Sequence, residues 1–238
     1  MELPDILSEE NASKAAKLLH RYYLGTDEKT GLLSTGSAFD GWAGRGDTRD
    51  VRDRITDSDI VAVSMLSVTV PAKAAVGLRD PEITKTVARL LADIPVDIKM
   101  SDLTPEEAQA AFGKSSPAWD LWHVLRATEA PNRWDIGPTI ASKIMARKRP
   151  HLIPIWDEII GQVIGKRSPR TQWLNWHSHL QPGSPLSDRL RRIHEQSGVT
   201  QELSELRIID AILWRHGRDL GYKGSRGRRF TPSEALGS

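Results

Sequence analysis

The chain has 238 residues and a formal net charge of +2, with 39% hydrophobic and 27% charged residues. This composition is ordinary for a soluble globular protein, and the length predicts one or two domains. It contains no cysteine, so disulfides and thiolate metal sites are excluded. No apolar run approaches the roughly 18 residues that span a bilayer, and the acidic start MELPDILSEE has no apolar secretory segment, so a cytoplasmic location is expected.

Apolar spacing predicts a mostly helical first half of the chain. Residues 11–24 repeat apolar side chains at the three- and four-residue spacing of a helix. Residues 25–49 are rich in glycine, serine, threonine and aspartate, which predicts a long loop. Residues 57–70 are ambiguous, because their β-branched side chains favour a strand whereas Asp57 and Asp59 are typical of a helix start. A buried helix is the favoured interpretation.

Helix start and stop signals organise the rest of the chain. Pro81 and Pro105 suit the first positions of two helices, residues 116–127 continue the helical pattern, and a third strongly apolar helix is predicted to stop at Gly217. There is no strand–helix alternation, internal repeat or glycine-rich phosphate loop. We therefore expect an all-α fold, with a single helical domain over residues 1–222 followed by a flexible basic tail over 223–238. A two-lobed arrangement with its junction near residues 95–130 is compatible with the pattern.

Charge is distributed unevenly along the chain. Residues 1–60 hold 12 acidic and 8 basic side chains, whereas residues 141–170 hold 7 basic and 2 acidic ones. A basic block in a near-neutral chain indicates an anionic partner, most simply nucleic acid, unless it is ordinary solvated surface. The cations expected to contact phosphates are Lys143, Arg147, Lys148, Arg149 and Arg167.

The segment GPTIASKIMARKRPHLIPIWDEII, residues 137–160, joins this basic block to a lone aspartate. Gly137 and Pro138 suit the junction between a loop and a helix, and Pro150 prevents that helix from continuing. The apolar connector that follows contains another proline and is expected to be extended. Asp157 then falls at the N-cap of the next helix, where it could simply accept hydrogen bonds from backbone amides.

Residues 133–165 resemble the core motif of the helix-hairpin-helix DNA glycosylases. Gly137 matches the last glycine of the family hairpin, Ala141 the small residue inside the helix, and Asp157 the aspartate after the apolar connector. The resemblance implies a two-lobed helical fold, hairpin amides that hold a DNA phosphate, and catalysis by Asp157 without cofactor or metal. Lyase-competent members have a lysine two residues after that glycine, and here Thr139 holds this catalytic-site position. The resemblance therefore implies a monofunctional glycosylase without lyase activity; Lys143 lies one turn later, on the same helix face.

The hairpin departs from the family pattern. The usual Leu-Pro-Gly-Val-Gly is replaced by Arg-Trp-Asp-Ile-Gly over residues 133–137. Asp135 replaces the first glycine; it tolerates a left-handed backbone better than most residues, but its carboxylate would repel a phosphate. One alternative is therefore a catalytically inactive nucleic-acid-binding module of the same fold, and another is a defence or toxin protein that acts on nucleic acid. The whole chain is also similar to an uncharacterised bacterial family with the same Ala-Ser-Lys and Ala-Arg-Lys-Arg-Pro core.

A glycosylase of this class acts on a base that has left the duplex stack, so the expected partner is duplex DNA with an extruded base, without a membrane or an obligate protein partner. Extrusion requires an aromatic wedge and a pocket in which the base can stack. The alternative role of the aromatic side chains is to pack in the core. The candidates are Trp156, Trp134, Tyr22 and Phe39. Three further tryptophans in amphipathic helices are assigned to the core: Trp119, Trp122 and Trp214.

Two smaller features complete the set of candidate site residues. His177 and His179 are two positions apart, but no third ligand stands nearby, so no metal site is expected. Asp210 interrupts a strongly apolar helix. It is either a buried, paired acid or a second active-site carboxylate, and a structural salt bridge is favoured.

Overall fold

The computed structural model describes residues 1–26, 31–127, 134–166 and 169–224, and these residues fold almost entirely into helices. They form eleven α-helices and five short 3₁₀ segments, and their only strand-like feature is one antiparallel bridge between Thr26 and Leu33. The predicted all-α class is confirmed for this part of the chain. The α-helices are α1 Ala12–Tyr23, α2 Asp57–Ser64, α3 Ala72–Gly77, α4 Pro81–Ala92, α5 Pro105–Phe112, α6 Pro117–Arg126, α7 Pro138–Lys148, α8 Glu158–Val163, α9 Gln172–Leu180, α10 Pro185–Ser197 and α11 Glu205–Asp219.

The ambiguous segment 57–70 is helical, as favoured, but its helix α2 ends at Ser64. Its start is fixed by a capping box, in which the Thr56 hydroxyl accepts the Asp59 N–H and the Asp59 carboxylate accepts the Thr56 N–H. The chain leaves the helical path at Ser67, which has a left-handed φ of 61°. The capping interactions of Thr56 and Asp59 therefore start a helix here, although the segment is rich in β-branched residues.

Gly217 does not end α11, contrary to the prediction. The helix continues to Asp219, and Gly217 lies buried against α8. A Cβ at this position would lie 2.5 Å from Cγ2 of Ile159 and 2.9 Å from Cγ2 of Val163. The absent side chain lets α11 and α8 approach closely, and this contact fixes the helix that directly follows Asp157.

The helices pack in a connected series. α1 packs against α10 and α11, α11 packs against α8, α6 packs against α4, α5 and α7, and α2 packs against α7.

None of the helices in the described ranges is long and apolar enough to cross a membrane. The two-lobed division near residues 95–130 stays a prediction. Residues 225–238 of the predicted tail lie outside the described residues.

α7 is buried along most of its length, although its second half is strongly basic. Every residue from Ala141 to Lys148 is buried, and Arg147, Lys148 and Arg149 are only 3%, 0% and 1% exposed. The prediction that these three cations contact phosphates is therefore wrong for the folded chain. They point into the protein, because acidic side chains and backbone carbonyls are arranged there to receive them.

Two aspartates form ion pairs with the three cations. Asp59 lies 3.3 Å from Nε of Arg147 and 2.5 Å from Nζ of Lys148, and Asp53 lies 2.8 Å from Nη2 of Arg149. Burial lowers the pKa of Lys148, and the charge of Asp59 opposes that shift. Backbone carbonyls accept the remaining N–H groups; they belong to Phe39, Asp40, Trp42, Gly46, Val51, Arg52, Leu91 and Ile94. The segment 39–53 is thus fastened to α7 by buried positive charge rather than by regular secondary structure.

Substitution of Asp59 by alanine should destabilise the fold strongly, because two buried cations would lose their carboxylate. Breaking a buried ion pair costs about 3–5 kcal/mol of unfolding free energy. Asp57→Ala is the matched control, since Asp57 lies in the same helical turn but its side chain is 88% exposed, against 1% for Asp59. The control should cost at most about 1 kcal/mol. Urea denaturation of both variants measures the difference, and similar losses would contradict this account of α7.

Candidate active site

Asp157 lies at the N-cap of α8, as the sequence predicts. Its backbone is extended, with φ −140° and ψ 148°, and its Oδ1 accepts a hydrogen bond of 2.9 Å from the Ile159 N–H. The connector before it is buried from Leu152 to Trp156. The cap hydrogen bond and the buried connector fix the position of the Asp157 carboxyl group at the start of α8.

The second carboxylate oxygen of Asp157 is held by Lys143 of α7. The Lys143 ammonium donates to Oδ2 of Asp157 at 3.0 Å and to the carbonyl oxygen of Leu66 at 3.0 Å. Ser142, next to it in α7, accepts the Trp156 N–H at 2.9 Å through its hydroxyl oxygen. Two adjacent residues of α7 therefore fix both the register of the connector and the orientation of the carboxylate.

The Asp157 side chain is 13% exposed and faces a small polar cavity. About 20 Å³ of the cavity is accessible to the centre of a water molecule, which is room for about one water. The polar groups around it could orient such a water. The lining includes Tyr22, Ser34, Ser67, Lys143, Asp157, Asp210 and Trp214.

Asp210 of α11 lines the same cavity and is paired with Arg207 one turn earlier. The predicted salt bridge is therefore present, and the carboxylate also reaches the candidate site. Burial raises the pKa of Asp210 to about 6, against the opposing charges of Arg207 and Lys143. Two carboxylates thus share one cavity in different settings: Asp157 is tied to a helix start and an ammonium, and Asp210 lies in the interior beside a guanidinium.

Arg207 holds two residues of the cavity lining, Tyr22 and Gly36. Its guanidinium donates to Asp40 Oδ2 at 2.9 Å, to the Tyr22 hydroxyl oxygen at 3.0 Å and to the Gly36 carbonyl at 2.9 Å. Burial raises the pKa of Tyr22 to about 12, so the phenol keeps its proton and can donate a hydrogen bond. A Cβ on Gly36 would lie 2.3 Å from that hydroxyl oxygen, so only glycine fits beside it.

The predicted hairpin is described only from Trp134 onward. Asp135 adopts a left-handed φ of 54°, which fits the expectation that it tolerates this backbone in place of glycine. Its carboxylate lies 2.6 Å from Nζ of Lys73, and both side chains are more than half exposed. Gly137 is the N-cap of α7, and Thr139 is half-buried in the first turn of that helix.

Most of the predicted aromatic candidates do not reach the cavity. Trp156 is 4% exposed and packs against Gly161, and Trp134 packs against Gly77, so both serve the core. Phe39 is buried beneath the guanidinium of Arg207. Tyr22 alone among these candidates lines the cavity with Asp157. Trp214 also lines it, although the sequence pattern assigned this residue to the core, because one edge of an amphipathic helix can meet a cavity.

The remaining candidates have other surroundings. His177 Nε2 lies 2.8 Å from the Leu103 carbonyl oxygen, and His179 Nε2 lies 2.9 Å from the Met1 carbonyl oxygen. No cluster of three potential metal ligands occurs among the described residues. Arg167 lies outside the described residues. Asp157, Lys143 and Tyr22 are therefore the predicted residues that the fold brings together.

Asp210 should make the free energy of unfolding decrease as the pH rises. Its pKa of about 6 in the fold exceeds the value of about 3.9 expected in the unfolded chain. The folded protein therefore holds this proton more strongly between those values. The contribution of Asp210 is fully present below about pH 4 and is lost as the pH rises through about 6.

Asp210→Asn should remove this contribution. The unfolding free energy from urea denaturation, measured from about pH 4 to 7, should decline with pH more steeply in the wild type than in the variant. Parallel curves would show that Asp210 has the same pKa in the folded and unfolded states. That result would contradict the raised pKa assigned to this buried carboxyl group.

Comparison with known proteins gives one match. No curated protein and no solved structure matches the chain, so these comparisons supply no DNA glycosylase relative. A family of unknown function, DUF6308, matches residues 15–217. This range includes every described residue that lines the Asp157 cavity, and it confirms the expected similarity to an uncharacterised family. Because the match covers well over half of the sequence, the chain belongs to DUF6308, a family of unknown function.

Proposed function

We propose that the chain is a monofunctional DNA N-glycosylase in which Asp157 supports hydrolysis of a base–sugar bond. The observation that carries this proposal is the fixed carboxylate at the edge of a polar cavity. One oxygen of Asp157 is bound by the α8 amide of Ile159 and the other by Lys143. The sequence pattern of residues 133–165 supports the proposal, because its resemblance to the glycosylase motif implies a catalytic role for Asp157.

The proposed reaction is a displacement at C1′ of the deoxyribose. The C1′–N bond breaks and its electron pair leaves with the base, while the oxygen of a water forms the new bond to C1′. Asp157 accepts the proton from that water, and the departing base takes up a proton from solvent. A carboxylate about 4 Å from the cationic sugar contributes a gross Coulomb term on the order of 4 kcal/mol, which is up to about a thousandfold in rate if it appears only in the transition state.

Lys143 acts in this proposal by orienting Asp157 rather than as a nucleophile. Its side chain is 2% exposed, and its ammonium already donates to two oxygens. Thr139 holds the position of the family lysine, and a hydroxyl cannot form a Schiff base. We therefore expect no lyase step after base release.

A nucleotide would need the cavity to open, since its present volume suits about one water. The cavity lining at Met65–Ser67 follows the end of α2, and the Thr35 hydroxyl, between the lining residues Ser34 and Gly36, donates a hydrogen bond of 2.8 Å to the Met65 carbonyl. Separation of these two segments would expose Asp157 and would also break the bond from Lys143 of α7 to the Leu66 carbonyl. We propose this movement as the step that admits an extruded nucleotide.

The second candidate function is a binding module of the same fold without catalysis. Two observations favour it: the cavity is small, and Lys143 already neutralises Asp157. The proposed DNA contacts must also come from elsewhere than Arg147–Arg149, which are buried. Duplex DNA as the partner stays a proposal in both cases, as does the third alternative of a defence or toxin protein.

Binding to a cationic transition-state mimic separates the two candidates. Duplex DNA with a cationic azasugar at one abasic position should bind at least about 100-fold more tightly than duplex with a neutral abasic analogue, because the carboxylate faces the charge. Fluorescence anisotropy at fixed salt measures both affinities, with intact duplex as the reference. Equal binding of the three duplexes would favour the module over the enzyme.

The preference for the cation should disappear when the carboxylate is removed. Asp157→Asn keeps a good N-cap but leaves the Lys143 charge buried, so the double variant Lys143→Met/Asp157→Asn provides a form without that unpaired charge. Asp80→Asn is the matched control, since Asp80 caps α4 in the same way and does not line the cavity. A preference that persists in the double variant would remove Asp157 from the mechanism.

A further inference from the structure

A second and much larger cavity borders α6 and α9. About 490 Å³ of it is accessible to the centre of a water molecule, against about 20 Å³ beside Asp157. This volume falls within the range of about 300–1,000 Å³ that is common for ligand sites. The described lining residues of the two cavities do not overlap, so this cavity is a separate feature of the protein.

Most of the described side chains around this cavity are aromatic or cationic, and the others are Pro138 and Pro169. α6 places residues 119, 122, 123 and 126 on one face at helical spacing, and α9 contributes a third tryptophan. Lys114 contributes an ammonium group to the described lining, and this group favours an anion. The aromatic and cationic members of the lining are Lys114, Trp119, Trp122, His123, Arg126 and Trp173.

Three tryptophan rings line the cavity, and Trp119 is more exposed than Trp122 and Trp173. Trp122 and Trp173 are 7% and 8% exposed and meet edge to face, with ring centroids 5.9 Å apart. The Arg126 guanidinium lies over Trp122, 5.4 Å from its ring centroid. Trp119 is only half-buried and lies 4.9 Å from the ring of His123. A planar ligand would therefore stack on Trp119, against the more buried pair.

We propose that this cavity binds a nucleotide, with the base stacked on Trp119 and the phosphate near Lys114. Every nucleobase has a π-face that can stack on an aromatic side chain, and phosphate complements the lysine ammonium. An isolated phosphate would not require the aromatic wall, and a neutral aromatic molecule would not require the lysine. The nucleotide comes either free or as an unpaired unit of a nucleic acid strand, since both have the same base and phosphate chemistry.

Calorimetric titration of the full chain tests the proposal and separates the two sources. AMP and UMP should bind more tightly than adenosine, uridine or ribose 5-phosphate, which each lack one of the two recognised groups. A single-stranded ten-nucleotide adenine oligomer that binds at least tenfold more tightly than AMP identifies a strand as the source, and equal or weaker binding identifies the free nucleotide. The proposal is overturned if neither the nucleotides nor the oligomer bind, or if the nucleosides match the nucleotides.

Two variants assign the binding to this cavity. Trp119→Ala should weaken nucleotide affinity by about 5- to 150-fold through lost stacking, and Lys114→Gln should weaken AMP binding more than adenosine binding. Trp42→Ala and Lys14→Gln are the controls, since neither residue lines the cavity and Trp42 is 41% exposed. Unchanged affinity in Trp119→Ala would contradict the assignment. Because the cavity shares no described lining residue with Asp157, nucleotide binding is expected even if the chain releases no base.

Discussion

The fold depends on a helix whose positive charges point into the protein. α7 is buried from Ala141 to Lys148, and the four cations of its second half and C-cap each have an acidic partner. Such pairs add little net stability compared with apolar packing, but loss of one partner leaves an unpaired buried charge, which is costly. They therefore act mainly by specifying position. The elements they fix against α7 are α2 through Asp59, the segment 39–53 through Asp53 and backbone carbonyls, and the start of α8 through Asp157.

A second charged network also contributes residues to the Asp157 cavity. Arg207 of α11 holds Asp40, Asp210 and the Tyr22 hydroxyl, and Tyr23 donates to Asp40 at 2.9 Å. The two networks meet where Asp210 and Asp157 line the same space. The close contact at Gly217 brings α11 against α8, so the two carboxylates belong to helices that pack directly. This geometry explains why a mostly helical interior contains a small polar cavity at this place.

The sequence predicted local structure better than the direction of its charged side chains. Proline and capping signals located α4, α5 and the N-cap at Asp157, because these depend on neighbouring residues alone. The inward direction of Arg147–Arg149 depends on Asp59, Asp53 and the carbonyls of a distant loop, and no local pattern encodes it. Asp210 and Trp214 reach the cavity only because α11 packs on α8, so the sequence could mark Asp210 as unusual without placing it. Gly217 was predicted to end α11, whereas it lies at the contact between α11 and α8. That contact joins residues far apart in the sequence, so the local pattern could not indicate it.

The most direct test of the central claim is base release itself, measured without a choice of lesion. Damaged genomic DNA would be incubated with the wild type and with Lys143→Met/Asp157→Asn, and free bases in the small-molecule fraction would be identified by mass spectrometry. The account predicts at least one free base from the wild type, and none above background from the double variant. If the wild type releases no base while it remains folded, Asp157 is a helix cap and an ion-pair partner, and the glycosylase function is contradicted.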